Sequence, residues 1–338
     1  MLYENVCIEG FGYVIPDHVI TSEWIEEKLE PIYKAFGIPK GRIEQLTKIK
    51  ERRWWDEGVA FSDGAAMAAK KVLENVGIDR NEIQCLVNAS VCRDYIEPAT
   101  STIVHDKIGL PASAMNFDVV NACLGFLNGM VVVANMIELG QIDTGMVVSC
   151  EGLREGYLST FERLLGSSPD LQAFRDNLAT FTLGSGSVAM ILRHKSKSKA
   201  GKRLLGGYFY SQTQHNDLCV AQTTWMRTNS TPLLHEGLKV IYGAWEGFKK
   251  ELGWDSDTVD KVFTHQVSEK QRELGLKAIG LDRGIDYPTL VELGNVASVS
   301  APLSMAMAYD NGFLQNGDQV CLIGVGSGIN SLILGIQW

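Results

Sequence analysis

Short, nearly uninterrupted apolar runs recur along the chain: IQCLVNASV from Ile83, MNFDVV from Met115, GMVVSC from Gly145, VAMILR from Val188, KVFTHQV from Lys261, QVCLIGVG from Gln319 and SLILGI from Ser331. Runs of this length, bounded by polar or glycine-containing segments, predict strands buried on both faces. The segment that follows Cys123, LGFLNGMVVVANMIELG, is apolar almost all round, which predicts a buried helix rather than an amphipathic one. Strands alternating with helices imply an α/β architecture with helices covering the sheet faces.

The pattern is also duplicated. DVVNACLGFLNGMVVVANMIELGQIDTGMVV, from Asp118, parallels ELGNVASVSAPLSMAMAYDNGFLQNGDQVCL, from Glu292. Cys123 precedes Gly140 by 17 residues and Gly145 by 22, as Asn295 precedes Gly312 and Gly317, a common offset of 295 − 123 = 172. LGSGSVAMIL from Leu183 is echoed by VGSGINSLIL from Val325, but the interval before it is 184 − 145 = 39 residues in the first copy and 326 − 317 = 9 in the second. The first half therefore carries about 30 extra residues, near 151–180. The expected organisation is an N-terminal half over 1–200, with that insertion, and a C-terminal half over 201–338. The basic segment RHKSKSKAGKR, Arg193–Arg203, lies between them. It is either a solvated connector or a docking patch for acidic carrier proteins or phosphates.

Composition narrows the function classes. Of 338 residues 45% are apolar and 21% charged, an ordinary globular balance, and 31 basic against 40 acidic residues leave a net charge of −9. Such a surface repels phosphate backbones, so nucleic acid is not an expected partner. No stretch offers the roughly 18 apolar residues of a membrane span. The N-terminus MLYENVCIEG has neither a basic nor an apolar leader region, so secretion is not expected either. Seven scattered cysteines suit reduced thiols, and a cytoplasmic location is expected.

Three residues carry the candidate chemistry. Cys123 closes the run MNFDVVNA where the buried helix begins; unpaired N–H groups and the positive helix end would lower its pKa and make it a nucleophile, although a small core cysteine is the commoner fate of that residue. His265 follows the strand KVFT and precedes Ser268-Glu-Lys-Gln271, a helix-capping signature, which places it where side chains converge on a site. Asn295, the repeat counterpart of Cys123, is placed by pseudo-twofold symmetry near the thiol. Its amide can donate to a carbonyl oxygen or cap its own helix. The glycine runs at Gly184–Gly186 and Gly324–Gly328 do not fit a dinucleotide site, because only 338 − 328 = 10 residues follow the second. A close-approach loop offering backbone N–H groups is expected instead. No CxxC, HExxH or GxSxG pattern is present, so no metal is expected and a serine hydrolase lacks support.

Cys123 in NACLGF, His265 in THQVS, Asn295 in ELGNVASVSAP and the closing GVGSG loop together resemble the thiolase-fold condensing enzymes, nearest to the ketoacyl synthase III group. The resemblance runs over nearly the whole chain. It implies duplicated halves in a five-layer α/β/α/β/α sandwich, a homodimer, and an acyltransferase that needs no cofactor beyond its coenzyme A thioester substrates. It also implies that Cys123 takes the acyl group, that His265 and Asn295 bond the carbonyl of the second thioester, and that the N–H groups of Cys123 and Ser327 form the oxyanion hole. Initiating synthases usually carry Asn three residues after the histidine; here that residue is Ser268. They also place an aromatic residue before a proline in the segment that crosses the dimer interface, whereas this chain has Glu97-Pro98 within RDYIEPAT. That segment is similar to the OleA branch, whose members join two long acyl-CoA molecules head to head without losing CO2. The resemblance makes Glu97 the base, delivered to the partner's site; alternatively it is one end of an interface ion pair beside Arg93. Arg52 and Trp54, in ERRWW, could hold the CoA nucleotide or form a boundary turn with core tryptophans.

The expected activity is thus non-decarboxylative Claisen condensation of two fatty acyl-CoA thioesters to a 2-alkyl-3-ketoalkanoic acid, feeding olefin or related lipid synthesis. The alternatives are a decarboxylating ketoacyl synthase III acting on acyl-CoA and a malonyl acyl carrier protein, a cysteine hydrolase of thioesters, and a silent binding paralogue.

Overall fold

All seven apolar runs fold as strands, and two further segments join them in one nine-stranded sheet. The computed structural model describes every residue except position 167, which falls inside the expected insertion. In chain order the strands are β1 (Val6–Val14), β2 (Cys85–Asn88), β3 (Met115–Asp118), β4 (Thr144–Glu151), β5 (Gly186–His194), β6 (Lys202–Ser211), β7 (Lys261–Thr264), β8 (Gln319–Gly326) and β9 (Asn330–Gln337). Across the sheet their order is β7-β8-β9-β6-β1-β5-β4-β2-β3. The halves meet where β1 and β6 pair through Cys7↔Arg203 and Ile8↔Lys202.

The duplication is visible in the pairing. In the first half β2 and β4 are parallel, followed by antiparallel β4–β5 and β5–β1 pairs. In the second, β7 and β8 are parallel, followed by antiparallel β8–β9 and β9–β6 pairs. The eight helices that matter here are α1 (Phe61–Val76), α2 (Thr100–Ile108), α3 (Gly125–Glu138), α4 (Arg154–Leu165), α5 (Leu171–Asn177), α6 (Ser230–Leu252), α7 (Glu269–Ala278) and α8 (Ser300–Asp310). Adding 172 to the ends of α3 gives 125 + 172 = 297 and 138 + 172 = 310. The second copy fills that span with a 3-10 turn, Ala297–Val299, running into α8.

Alternate strand residues face different layers, as the two-residue period of a strand requires. Cys85, Val87, Val147 and Met190 of one half-sheet, and Val320, Leu322 and Leu334 of the other, share a core with α3 and α8. Leu86, Met146, Val148 and Ile191 face α1 and α2 on one outer side; Val262, Cys321, Ile323 and Ile333 face α6 and α7 on the other. The result is an α/β/α/β/α sandwich. The all-round apolar character of α3 is what a central layer demands. Burying Phe126, Leu127 and Met130 contributes roughly 1.5–3 kcal/mol each.

Glu151 is the last residue of β4, and the insertion after it forms α4, α5 and a 3-10 turn over Leu178–Thr182. These pack against the antiparallel ribbon His18–Thr21/Glu51–Trp54 in a separate aromatic cluster, with Trp54 edge-on to Trp24 at 5.6 Å and to Tyr157 at 5.2 Å. The basic segment becomes the β5–β6 turn. Three of its six cations are engaged: Arg193 bonds Glu82, Lys197 bonds Asp143 at 2.6 Å, and Lys202 lies 4.4 Å over the Trp338 ring. Arg193 is paired with Thr144, at the opposite end of β4 from Glu151. Among the described residues no helix is long and apolar enough to cross a membrane.

Candidate active site

The carboxyl ends of the parallel strands converge with two sharp corners. Cys123 lies between β3 and α3, in a loop tied by Leu124 N–H to Asn121 O at 2.9 Å and by Gly125 N–H to Ala122 O at 3.1 Å. Ala122 has φ 45°, a left-handed conformation that side-chain-bearing residues seldom adopt, and its repeat counterpart Gly294 (122 + 172) has φ 66°. Both corners therefore place a positive-φ residue immediately before the residue of interest. Gly125 opens α3 against the end of β2; a Cβ there would lie 2.2 Å from Ala89 O, so no larger residue fits.

The second half closes on this corner. A Cβ on Gly326 would lie 3.6 Å from Cys123 N, which sets the β8–β9 turn beside the thiol. Ser327 follows in a turn closed by Ile329 N–H to Gly326 O at 3.1 Å. Among the described residues neither the Cys123 nor the Ser327 amide donates to a backbone carbonyl outside the regular elements, and the Cys123 N–H lies against its own thiol. His265 directly follows β7, and its N–H donates to Ile323 O of β8 at 2.8 Å. Asn295 is bridged to Leu183 at the end of the insertion, with Asn295 N–H to Thr182 O at 2.8 Å and Gly184 N–H to Asn295 O at 2.9 Å. Its Oδ1 accepts from Ala297 N–H at 3.0 Å, which orients the amide and leaves its NH2 as a donor.

Electrostatics revise one expectation. The Cys123 thiol was expected to be acidic, but burial, reinforced by the negative charge of Glu151, pushes its pKa above the ordinary range. The helix end does not offset this: α3 begins two residues later, and Leu124 at its N-cap adds no side-chain bond. The thiol is protonated at rest and must shed its proton as it is acylated. Burial holds the His265 ring at about 4, so it is neutral near pH 7, and its Nδ1 is buried without a partner.

Several supporting residues gave no signal of their own in the sequence. Gln266 accepts from Thr289 N–H at 3.0 Å and Leu290 N–H at 3.1 Å, and donates to Tyr287 O at 2.8 Å. Thr264 donates to Asp286 Oδ2 at 2.9 Å, and Arg272 pairs with the same carboxylate. The neighbours of His265 on both sides are thus tied to the strap 286–290 that leads to Asn295. Ser268 caps α7 by accepting from Gln271 N–H at 3.2 Å. Glu151 ends an otherwise apolar strand at the edge of the insertion. Its charge at that position was the available clue.

Glu97 is not drawn into this site within one chain. It lies exposed on the segment between β2 and α2, with a cis peptide to Pro98, and among the described residues neither it nor Arg93 forms an ion pair. The nucleotide-binding expectation for Arg52 and Trp54 is corrected. Arg52 is fully buried and bonds Ser22 Oγ at 3.0 Å and Phe181 O at 2.8 Å, and Trp54 belongs to the aromatic cluster. A guanidinium enclosed by a hydroxyl and protein carbonyls is not available to a solvent-borne phosphate, and ERRW forms a strand where the alternative expected a boundary turn, with Trp54 in the core as that alternative had it.

A duplicated five-layer sandwich, with a cysteine and an asparagine at equivalent corners and a histidine at the end of a strand of the same sheet, defines a condensing acyltransferase of the thiolase class. Residues 250–338 match the family model of the 3-oxoacyl-[acyl-carrier-protein] synthase III C-terminal region. The chain is 41% identical to the acyl-CoA:acyl-CoA alkyltransferase of Shewanella oneidensis and 37% identical to that of Xanthomonas campestris, with 100% of both chains covered in each case. It is 28% identical to the beta-ketoacyl-[acyl-carrier-protein] synthase III of Rhodospirillum rubrum over 95% of each chain. Its structure matches a crystal structure of Xanthomonas campestris OleA with TM-score 0.98 and 36% identity, covering 100% of this chain and 98% of that one. A cerulenin-bound form of that protein matches equally, and its other solved forms include substitutions of a glutamate and of a histidine. The chain belongs to the acyl-CoA:acyl-CoA alkyltransferase family, the OleA enzymes.

Proposed function

We propose that the protein joins two fatty acyl-CoA thioesters head to head, without loss of CO2, to a 2-alkyl-3-ketoalkanoic acid that enters olefin or related lipid synthesis in the cytoplasm. The observation that carries this reading is full-length kinship with acyl-CoA:acyl-CoA alkyltransferases, combined with the RDYIEPAT segment that puts Glu97 where initiating synthases have an aromatic residue.

Cys123 attacks the first thioester, its proton leaving with the departing coenzyme A, and the tetrahedral oxygen is held by the Cys123 and Ser327 N–H groups. A second acyl-CoA then binds with its thioester oxygen facing His265 and the Asn295 amide. A fatty acyl thioester has no carboxylate to expel, so its α-proton must be removed, and Glu97 of a partner copy in a homodimer takes it. The resulting enolate attacks the acyl-Cys123 carbonyl, the carbon–sulfur bond breaks, and water hydrolyses the remaining thioester to the acid. Two CoA molecules are released, and no metal or further cofactor enters the scheme. The exposure of Glu97 in the single chain supports a role outside its own site. The Arg193–Arg203 turn lies at the far end of β4 from Glu151, which gives little support to acyl-carrier-protein docking there.

The test is incubation with one long-chain acyl-CoA, followed by peptide mapping and mass spectrometry of products. A single acyl adduct on Cys123 and a carbon–carbon-linked acid are expected. Glu97→Ala and Glu97→Gln should form the adduct yet lose roughly 10²–10⁴-fold in condensation. Activity only with malonyl thioesters would make the protein a decarboxylating synthase, and free fatty acid as the sole product would make it a hydrolase.

A further inference from the structure

A second carboxylate lies in the core beside Cys123, and the scheme above does not use it. Glu151 is 2% exposed. Its Oε1 accepts from Val91 N–H at 2.8 Å and from the Ser298 hydroxyl; its Oε2 accepts from Cys92 N–H at 3.1 Å. No Lys, Arg or His pairs with it among the described residues. Burying an unpaired carboxylate is costly, and its three donors offset that cost only in part. The donors come from two places that matter. Val91 and Cys92 begin the segment that carries Glu97, and Ser298 lies three residues beyond Asn295, in the turn that repeats the start of α3. Ser298 also meets Ser149 Oγ of β4 at 2.7 Å, and Ser90 Oγ, which receives Cys150 N–H at 2.9 Å, extends the same network.

We propose that Glu151 is a positioning residue that clamps the Glu97-bearing segment to the Asn295 corner. Its second role is electrostatic: its charge adds to the burial that holds Cys123 a protonated thiol at rest, so the same carboxylate bears on both the condensation and the acylation steps. This rests on the condensation reading, since only that reading gives Glu97 work to do. The other titratable groups that share this electrostatic network are the Cys92, Cys150 and Cys219 thiols, with the Asp63 and Asp94 carboxyls acting on Cys150, and none of them is a cation that could neutralise Glu151.

The two roles predict effects of opposite sign. Glu151→Gln removes the charge and sets an NH2 group against the Cys92 N–H. The pH midpoint for iodoacetamide alkylation of Cys123 should fall by about one unit, while condensation of two acyl-CoA molecules falls about tenfold or more as Glu97 loses its placement. Ser298→Ala keeps the charge and removes one arm, so condensation should fall with the alkylation midpoint unmoved. Thermal melts of both variants report folding. An unshifted midpoint in Glu151→Gln, or unchanged condensation in both variants, overturns the proposal. If Glu151→Gln does not fold, Ser298→Ala with parent-like condensation overturns it alone. If the parent itself makes no condensed product, the condensation reading fails, whereas the alkylation midpoint still judges the charge role of Glu151.

Discussion

His265 follows an apolar strand and is buried, so its ring has exchanged water for protein while keeping one unpartnered nitrogen. Burial disfavours the imidazolium, and the pKa falls to about 4 from an ordinary value near 6.5. Between these values the unfolded chain binds a proton that the folded chain refuses, so stability is lost as pH drops from about 6.5 toward 4, by up to about 3 kcal/mol from this ring. Glu151, whose carboxyl burial pushes upward, works in the opposite direction. His265→Gln should therefore melt with a shallower dependence on pH between 7 and 4.5 than the parent; calorimetry across that range checks it, and parallel profiles would show the ring to be solvated. Neutrality near pH 7 also suits a ring that donates to an enolate oxygen rather than one that accepts a proton from an α-carbon.

At the scale of elements, the strap 286–290 joins the end of β7 to the Asn295 corner through Thr264, Gln266 and Arg272. Asp286 is wholly buried; burial pushes its carboxyl up and the Arg272 guanidinium opposes that. Arg272 also donates to Asp286 O at 2.9 Å and to Arg283 O at 3.2 Å. Arg272→Met would leave a buried carboxylate uncompensated, with a loss of about 3–5 kcal/mol. Urea unfolding reads this as a lower midpoint, and condensation should fall with it because His265 and Asn295 are positioned by the same strap. Local pattern named the strands that flank this strap, and the capping signature at Ser268 named the start of α7. The strap itself has no periodicity. Its hydrogen bonds join residues 14 to 24 positions apart, which no short window contains.

At the scale of the whole molecule, one chain leaves Ile96 92% and Tyr95 61% exposed, next to Glu97, and it also exposes Met115 and Val120 around the edge strand β3. Exposed apolar side chains on this segment, and others by an unpaired sheet edge, are features of a surface for association. Ile96→Asp should turn the homodimer proposed here into a monomer that acylates Cys123 but condenses poorly. Sedimentation velocity with product analysis checks this, and a parent that is monomeric and fully active in dilute solution would refute the arrangement.

The chain's own pattern determined the seven apolar strands, the buried helix after Cys123 and the duplication with its offset of 172, because those signals are either local or repeated. Strands β1 and β6 were not legible. VCIEGFGYV and KRLLGGYFYS are interrupted by a charge or by glycines, and they become strands because neighbours bond them along both edges. The burial of Arg52, the raised pKa of Cys123 and the clamp at Glu151 were likewise decided only by the tertiary structure. Each depends on which groups from distant segments replace water around a charge, and dielectric surroundings are a property of the folded chain rather than of a residue or its neighbours in sequence.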